Sequence, residues 1–145
     1  MKTDLADGKT LKEMFASGTA WLEKSAPDIN AINVFPVPDG DTGTNMLLTM
    51  QFALQEVKSS SDSHASSVAK SLAHGALMGA RGNSGVILSQ FFRGLAKGLD
   101  GKANFDGADF ARALAGAAQT AYKGVASPVE GTILTVLKDA SKSAK

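Results

Sequence analysis

A chain of 145 residues, 43% of them hydrophobic and 20% charged, has the size and balance of one ordinary soluble domain with a core of its own. Its net charge of +1 excludes a broad basic surface for nucleic acid, and the absence of cysteine excludes disulfides, thiolate catalysis and cysteine-based metal sites. The start, Met1-Lys2-Thr3-Asp4-Leu5-Ala6-Asp7-Gly8, lacks the apolar stretch of a signal peptide, and no apolar run approaches the ~18 residues that span a bilayer. The expectation is a cytoplasmic protein with no stable membrane insertion.

Thr10-Leu11-Lys12-Glu13 has the pattern of a capping box, and Leu11, Met14, Phe15, Gly18 and Leu22 follow on one helical face. Pro27 is expected to end that helix. Residues 27–43 read as a loop, because Pro36 and Pro38 donate no backbone hydrogen bond and Gly40 and Gly43 loosen the chain. A second helix is predicted from about Thr44 to Val57, burying Leu47, Met50, Leu54 and Val57. Ser59 to Ser67 is a polar, Ser-rich connection, and a third helix over about Ser67 to Leu77 carries Val68 and Leu72. The break Gly79-Ala80-Arg81-Gly82-Asn83-Ser84-Gly85 precedes a fourth helix to about Leu99.

Asp106 reads as the N-cap of a long helix bearing Phe110, Ala113, Leu114, Ala117, Ala121, Tyr122 and Val125. Pro128 separates it from a last helical pattern with Ile133, Leu134, Leu137 and Ala140. No segment alternates over strand length, apart from Ile32 to Val37, which its prolines interrupt. The fold class expected is all-α, with about six helices. The Ala-rich face of residues 111–121 calls for close helical neighbours, and the last pattern reaches Lys145 without a stop signal, so the chain is expected to be the front part of a larger bundle.

The segment Asn33-Val34-Phe35-Pro36-Val37-Pro38-Asp39-Gly40-Asp41-Thr42-Gly43-Thr44-Asn45 carries the clearest chemistry. Asp39 and Asp41 stand two positions apart in a loop, and two such charges repel unless a cation lies between them. Thr42, Gly43, Thr44 and Asn45 then open a helix, where anions are favoured. An EF-hand needs Gly at its sixth position and Glu at its twelfth, which here are Thr44 and Met50. No GxxxxGK[ST] or strand–GxGxxG–helix unit is present. A hard cation together with phosphate is the joint reading, and a plain turn is the alternative.

Gly82-Asn83-Ser84-Gly85 also opens a helix, as either a tight helix–helix turn or a second anion cradle. Arg81 beside it suits a phosphate or a surface ion pair. Glu130-Gly131-Thr132 is a third candidate of this helix-opening kind, with Thr132 as a plain N-cap. His64 lies in the polar connection and reads as solvated. His74 suits a general base but has no triad partners, and Trp21, Phe91 and Phe92 read as packing residues.

Taken together, residues 33–46, residues 79–90 and Pro128-Val129-Glu130-Gly131-Thr132-Ile133-Leu134-Thr135-Val136 resemble the dihydroxyacetone kinase L-subunit type of nucleotide-binding domain, the DhaL or DAK2 domain. Within that family the resemblance is strongest to the N-terminal kinase domain of the bacterial fatty acid kinases. It implies an antiparallel α-helical barrel binding ATP or ADP at one end, with two Mg2+ ions held by acidic residues. Asp39 and Asp41 match two of those acids, and Asn33 is the nearest match to the third. By the same matching, Thr42, Gly43, Thr44, Asn45, Asn83 and Ser84 contact phosphates, while Gly124, Thr132 and Ile133 lie near the nucleotide.

The activity implied is transfer of the γ-phosphate to a fatty acid carboxylate presented by a fatty-acid-binding partner of the DegV family. A glycerone-type kinase and a non-catalytic helical metal- or nucleotide-binding module are the alternatives. The resemblance also implies further helices with a late Asp-Ser-Gly-Gly-type loop, and a homodimer in the full-length protein.

Overall fold

The computed structural model describes residues 4–59 and 62–144. They form six helices, α1 (Gly8–Ala31), α2 (Thr42–Lys58), α3 (Ala65–Gly79), α4 (Gly82–Gly98), α5 (Gly107–Lys123) and α6 (Ile133–Ser143). No strand occurs among the described residues. The one β-type pairing among them is an isolated bridge between Ala6 and Phe105. The all-α expectation holds. Ser60 and Ser61, within the predicted Ser-rich connection, lie outside the described residues, as do residues 1–3 and Lys145.

Two helix boundaries differ from expectation. Asp7 caps α1 in place of Thr10: its carboxylate accepts from the Thr10 N–H at 2.9 Å and the Thr10 hydroxyl at 3.2 Å. A charged acceptor three residues earlier outcompetes the hydroxyl for the free N–H groups. At the other end α1 runs through Pro27 to Ala31. Pro27 is exposed, and the turn after it is closed by Ile32 N–H to the Ile29 carbonyl and Asn33 N–H to the Asn30 carbonyl. The missing proline N–H is therefore tolerated in the last turn, where tertiary bonds at Asn30 hold the chain.

Short connections make successive helices antiparallel, and the starts of α2 and α4 lie together at one end of the molecule. At that end the α1–α2 loop meets the start of α4, where Ser84 Oγ donates to the Thr42 carbonyl at 3.4 Å. The opposite end is tied by backbone bonds: Gly8 N–H to Ser63, Ala65 N–H to Ala103, Ser66 N–H to Lys102, and the Ala6–Phe105 pair. Each helix packs on its neighbour in sequence, while α1 and α6 lie at the two edges and do not pack on each other.

The core contains Leu11, Val57, Val68, Leu72, Phe92, Leu95, Leu99 and Leu134, all essentially fully buried. Phe92 stacks edge-on with both Phe15 and Phe91. Trp21 departs from its predicted packing role, being 72% exposed on α1. The stripe that α1 buries runs through Leu11, Phe15, Leu22 and Ala26, and Trp21 falls outside it.

Close helix approach rests on residues without bulk. A Cβ on Gly94 would stand 2.7 Å from the Ala117 Cα, and one on Gly98 would stand 2.7 Å from the Ala113 Cα. The Ala-rich face of α5 thus has the close neighbour its composition called for.

Candidate functional site

Asn33, just beyond the end of α1, organises the loop over residues 32–41. Its Oδ1 accepts from Asp41 N–H and Thr42 N–H at 3.0 Å each and from the Thr42 hydroxyl at 2.7 Å. Its Nδ2 donates to the carbonyls of Phe35 at 3.4 Å and Val37 at 3.3 Å. Three residues earlier, Asn30 Oδ1 accepts from Thr44 N–H at 3.1 Å and Asn30 Nδ2 donates to the Thr44 hydroxyl at 3.0 Å. Two amides at the end of α1 therefore cap the start of α2 from outside. The N–H groups of Thr42 and Thr44, read from sequence as facing phosphate, are bonded to these amides.

Asp41 occupies the N-cap position of α2, yet its carboxylate makes no capping bond. Asp39 lies beside it in the same loop. Partial loss of hydration first, and then the hydrogen bond and charge of Asp41, push the carboxyl of the exposed Asp39 above its ordinary range. Asp39 and Asp41 are thus brought together as expected. No group of three or more His, Cys, Asp or Glu side chains suited to a metal occurs among the described residues. Two carboxylates and nearby oxygens are a hard donor set that suits Mg2+, which commonly takes one or two carboxylates and fills its shell with water and phosphate oxygens.

The second motif sits against the first. Gly82 has φ +65°, and a Cβ there would stand 2.4 Å from Asn45 Nδ2. Gly85 faces the Thr49 hydroxyl, which would be 2.4 Å from its Cβ. That hydroxyl, fully buried, accepts from Arg81 N–H at 3.2 Å and donates to the Asn45 carbonyl at 2.8 Å. Two glycine turns and one threonine thus lock the start of α4 onto α2. Unlike α2, α4 has no side-chain cap on its first turn. Ser84 is buried against Thr42, Asn83 is exposed beside it, and the Arg81 guanidinium lies over the Phe52 ring, 5.9 Å from its centroid.

The third block forms the connection between α5 and α6. Thr132 caps α6, its hydroxyl accepting from Leu134 N–H at 3.3 Å and donating to the Val129 carbonyl at 2.7 Å. Ile133 packs on the core, and Gly124 closes α5 next to Gln90. Glu130 gathers Thr135, Lys138 and Tyr122 around it, with the Thr135 hydroxyl at 2.8 Å. These bonds stay within the α5–α6 connection and do not reach Asp39 or Asp41. His74 is paired to Glu56 at 2.9 Å on the outer surfaces of α3 and α2, and His64 is exposed.

The starts of α2 and α4 meet, so two helix dipoles present their positive ends there. The carboxylate pair sits in that field, an arrangement suited to a cation-bridged polyanion. Sequence reading had not singled out Asn30 or Thr49. The signal for Asn30 was its spacing of three from Asn33, which places two amides on one face of a helix end. Thr49, a hydroxyl amid apolar helical positions, carried no signal until α4 was packed on it.

A family model described as the DAK2 domain matches residues 36–145. Protein YloV of Bacillus subtilis (strain 168) is 51% identical over 138 residues, covering 95% of this chain and 25% of that protein. An uncharacterized protein of Staphylococcus epidermidis (strain RP62A) is 47% identical, and one of Staphylococcus aureus (strain USA300) is 46% identical, with the same coverage. The chain thus spans about 25% of the length of these relatives.

Proposed function

Because the chain belongs to the DAK2 domain family, whose name ties it to dihydroxyacetone kinases, we propose that it is the nucleotide-binding part of an ATP-dependent phosphotransferase. The observation that carries this reading is the Asp41 carboxylate, placed at a helix N-cap and not used to cap it. It lies beside Asp39, next to the place where α2 and α4 begin. Asp39 and Asp41 would hold Mg2+, two ions in the family pattern, with Asn33 next to them. Bound there, Mg2+ would neutralise charge on the nucleotide phosphates.

Ser84, Asn83 and the uncapped first turn of α4 would bind phosphate oxygens, with the Thr44 hydroxyl and Asn45 beside them. Thr132, Ile133 and Gly124 would line the nucleotide's other side. Gly82 and Gly85 let α4 approach closely enough for both motifs to face one ligand.

The acceptor we favour is a fatty acid carboxylate delivered by a separate fatty-acid-binding protein of the DegV family, giving an acyl phosphate. A carboxylate is already a nucleophile at neutral pH. Transfer then needs alignment and charge neutralisation and no protein base, in keeping with the remote, Glu56-paired position of His74. Exposed Ile32, Val34, Phe35 and Val37 border the acidic loop and offer an apolar rim to an incoming carrier. No helix among the described residues is long and apolar enough to cross a membrane.

Calorimetric titration of Mg-ADP into wild type and Asp41→Ala tests the site. The variant should bind more weakly by about tenfold or more, the scale of losing a contact to a charged group. Equal affinity in the two proteins would sink the assignment.

A further inference from the structure

We infer that Asn33 is a positioning residue: by accepting from the Asp41 and Thr42 N–H groups, it fixes the backbone that carries the Asp41 carboxylate and so holds that carboxylate beside Asp39. The inference rests on the reading of Asp39 and Asp41 as the cation-binding pair. An aspartate at an N-cap ordinarily turns its own carboxylate onto the N–H two or three residues ahead. Here the third donor, Thr44 N–H, is taken by Asn30 at 3.1 Å. Asn33 in turn holds the N–H of Asp41 itself and of Thr42, the first helical residue, at 3.0 Å each, which anchors the backbone at the cap. The Asp41 side chain makes no cap bond.

The side chain required at position 33 is an amide. Its oxygen accepts three hydrogen bonds from the start of α2, while its nitrogen donates to the Phe35 and Val37 carbonyls. One group thereby ties the ascending limb of the loop to the helix that follows the acidic pair. A carboxylate at that place accepts but cannot donate, and adds a third negative charge. An amide oxygen turned toward a cation would leave the Asp41 and Thr42 donors unmatched, at the cost of unsatisfied polar groups. The geometry thus separates two roles: Asp39 and Asp41 bind, and Asn33 aims.

Backbone amide exchange by NMR, read with and without Mg-ADP and paired with calorimetric Mg-ADP titration, distinguishes aiming from direct ligation. In wild type the Asp41 and Thr42 N–H groups should be protected and stay protected when Mg-ADP is added. Asn33→Ala should lose protection at those two positions and bind Mg-ADP about tenfold more weakly, the scale of a lost set of ordinary hydrogen bonds. Thr42→Val, which removes the hydroxyl bond to Asn33, should shift both readouts in the same direction by less, and Thr42→Ser, which keeps that hydroxyl, should restore most of what Thr42→Val loses. If Asn33→Ala fails to fold, the Thr42 pair carries the test.

Wild-type affinity in Asn33→Ala, or in Thr42→Val, overturns the inference. So does loss of Asp41 and Thr42 protection in wild type on adding Mg-ADP, which means the amide oxygen has turned to the cation. If wild type takes up no Mg-ADP at all, the phosphotransferase reading itself falls, and this inference with it.

Discussion

At Gly82 two requirements coincide: a φ of +65° and a neighbouring amide nitrogen 2.4 Å from where a Cβ would stand. Either alone disfavours any other residue. The left-handed backbone costs an L-residue on the order of 1–2 kcal/mol, and the clash must also displace Asn45. Gly82→Ala should therefore lower stability by about 1 kcal/mol or more in urea unfolding. It should also weaken Mg-ADP binding, because Asn45 and the start of α4 shift together. Gly101→Ala makes the control: its φ is +76° with nothing nearby, so it should cost stability and leave nucleotide binding alone. At this scale the acidic pair was readable from the sequence, since spacing alone put Asp39 next to Asp41. Asn33's place in the loop was not, because nothing in a linear motif says which way an amide oxygen points.

Among the helices, α4 and α5 show how small residues set an interface. Gly94 and Gly98 press against Ala117 and Ala113, with backbone atoms 2.7 Å from the added Cβ in each case. Backbone cannot swing aside as a long side chain can. Gly94→Ala should destabilise by roughly 1–3 kcal/mol, the usual cost of overpacking, measured as a shift in the urea midpoint. The start of α5 supplies a pH effect. Asp106 and Asp109 form a capping box, and Asp109 is also paired with Lys102 and Arg112. The Asp106 backbone N–H first, and then Lys102, hold the Asp109 carboxyl below its ordinary range. A depressed carboxyl contributes stability that is present above the ordinary carboxylate range and lost as pH falls through the folded value. Thermal midpoints recorded down the acid limb should fall less steeply in Asp109→Asn than in wild type. The Asp106 cap was legible because its pattern is local. The start of α1 was not, since two polar four-residue patterns overlap there and the charged one takes the N–H. Pro27 misled because its usual breaking effect fades in a last turn that is held from outside.

For the molecule as a whole, the proposal places one ligand across two motifs that are some forty residues apart in the chain. Binding should therefore stabilise the fold and not one loop alone. At 100 times its dissociation constant, Mg-ADP should add about 2.7 kcal/mol, visible as a raised thermal midpoint, and Asp39→Ala with Asp41→Ala should remove the gain. An unchanged midpoint at saturating nucleotide in wild type would contradict that coupling. The sequence by itself determined that the chain is helical, roughly where most of the helices lie, and that Asp39-Gly40-Asp41 and Gly82-Asn83-Ser84-Gly85 punctuate the helical pattern. Those features are local: apolar spacing, glycine and proline punctuation, and charges two positions apart act through the backbone that carries them. Only the tertiary structure decided that Thr49 joins the two motifs, that Asn30 and Asn33 cap a helix they do not belong to, and that the Asp41 carboxylate makes no cap bond. Each of those depends on which donor reaches an acceptor first, and that competition is settled only when the helices are packed side by side.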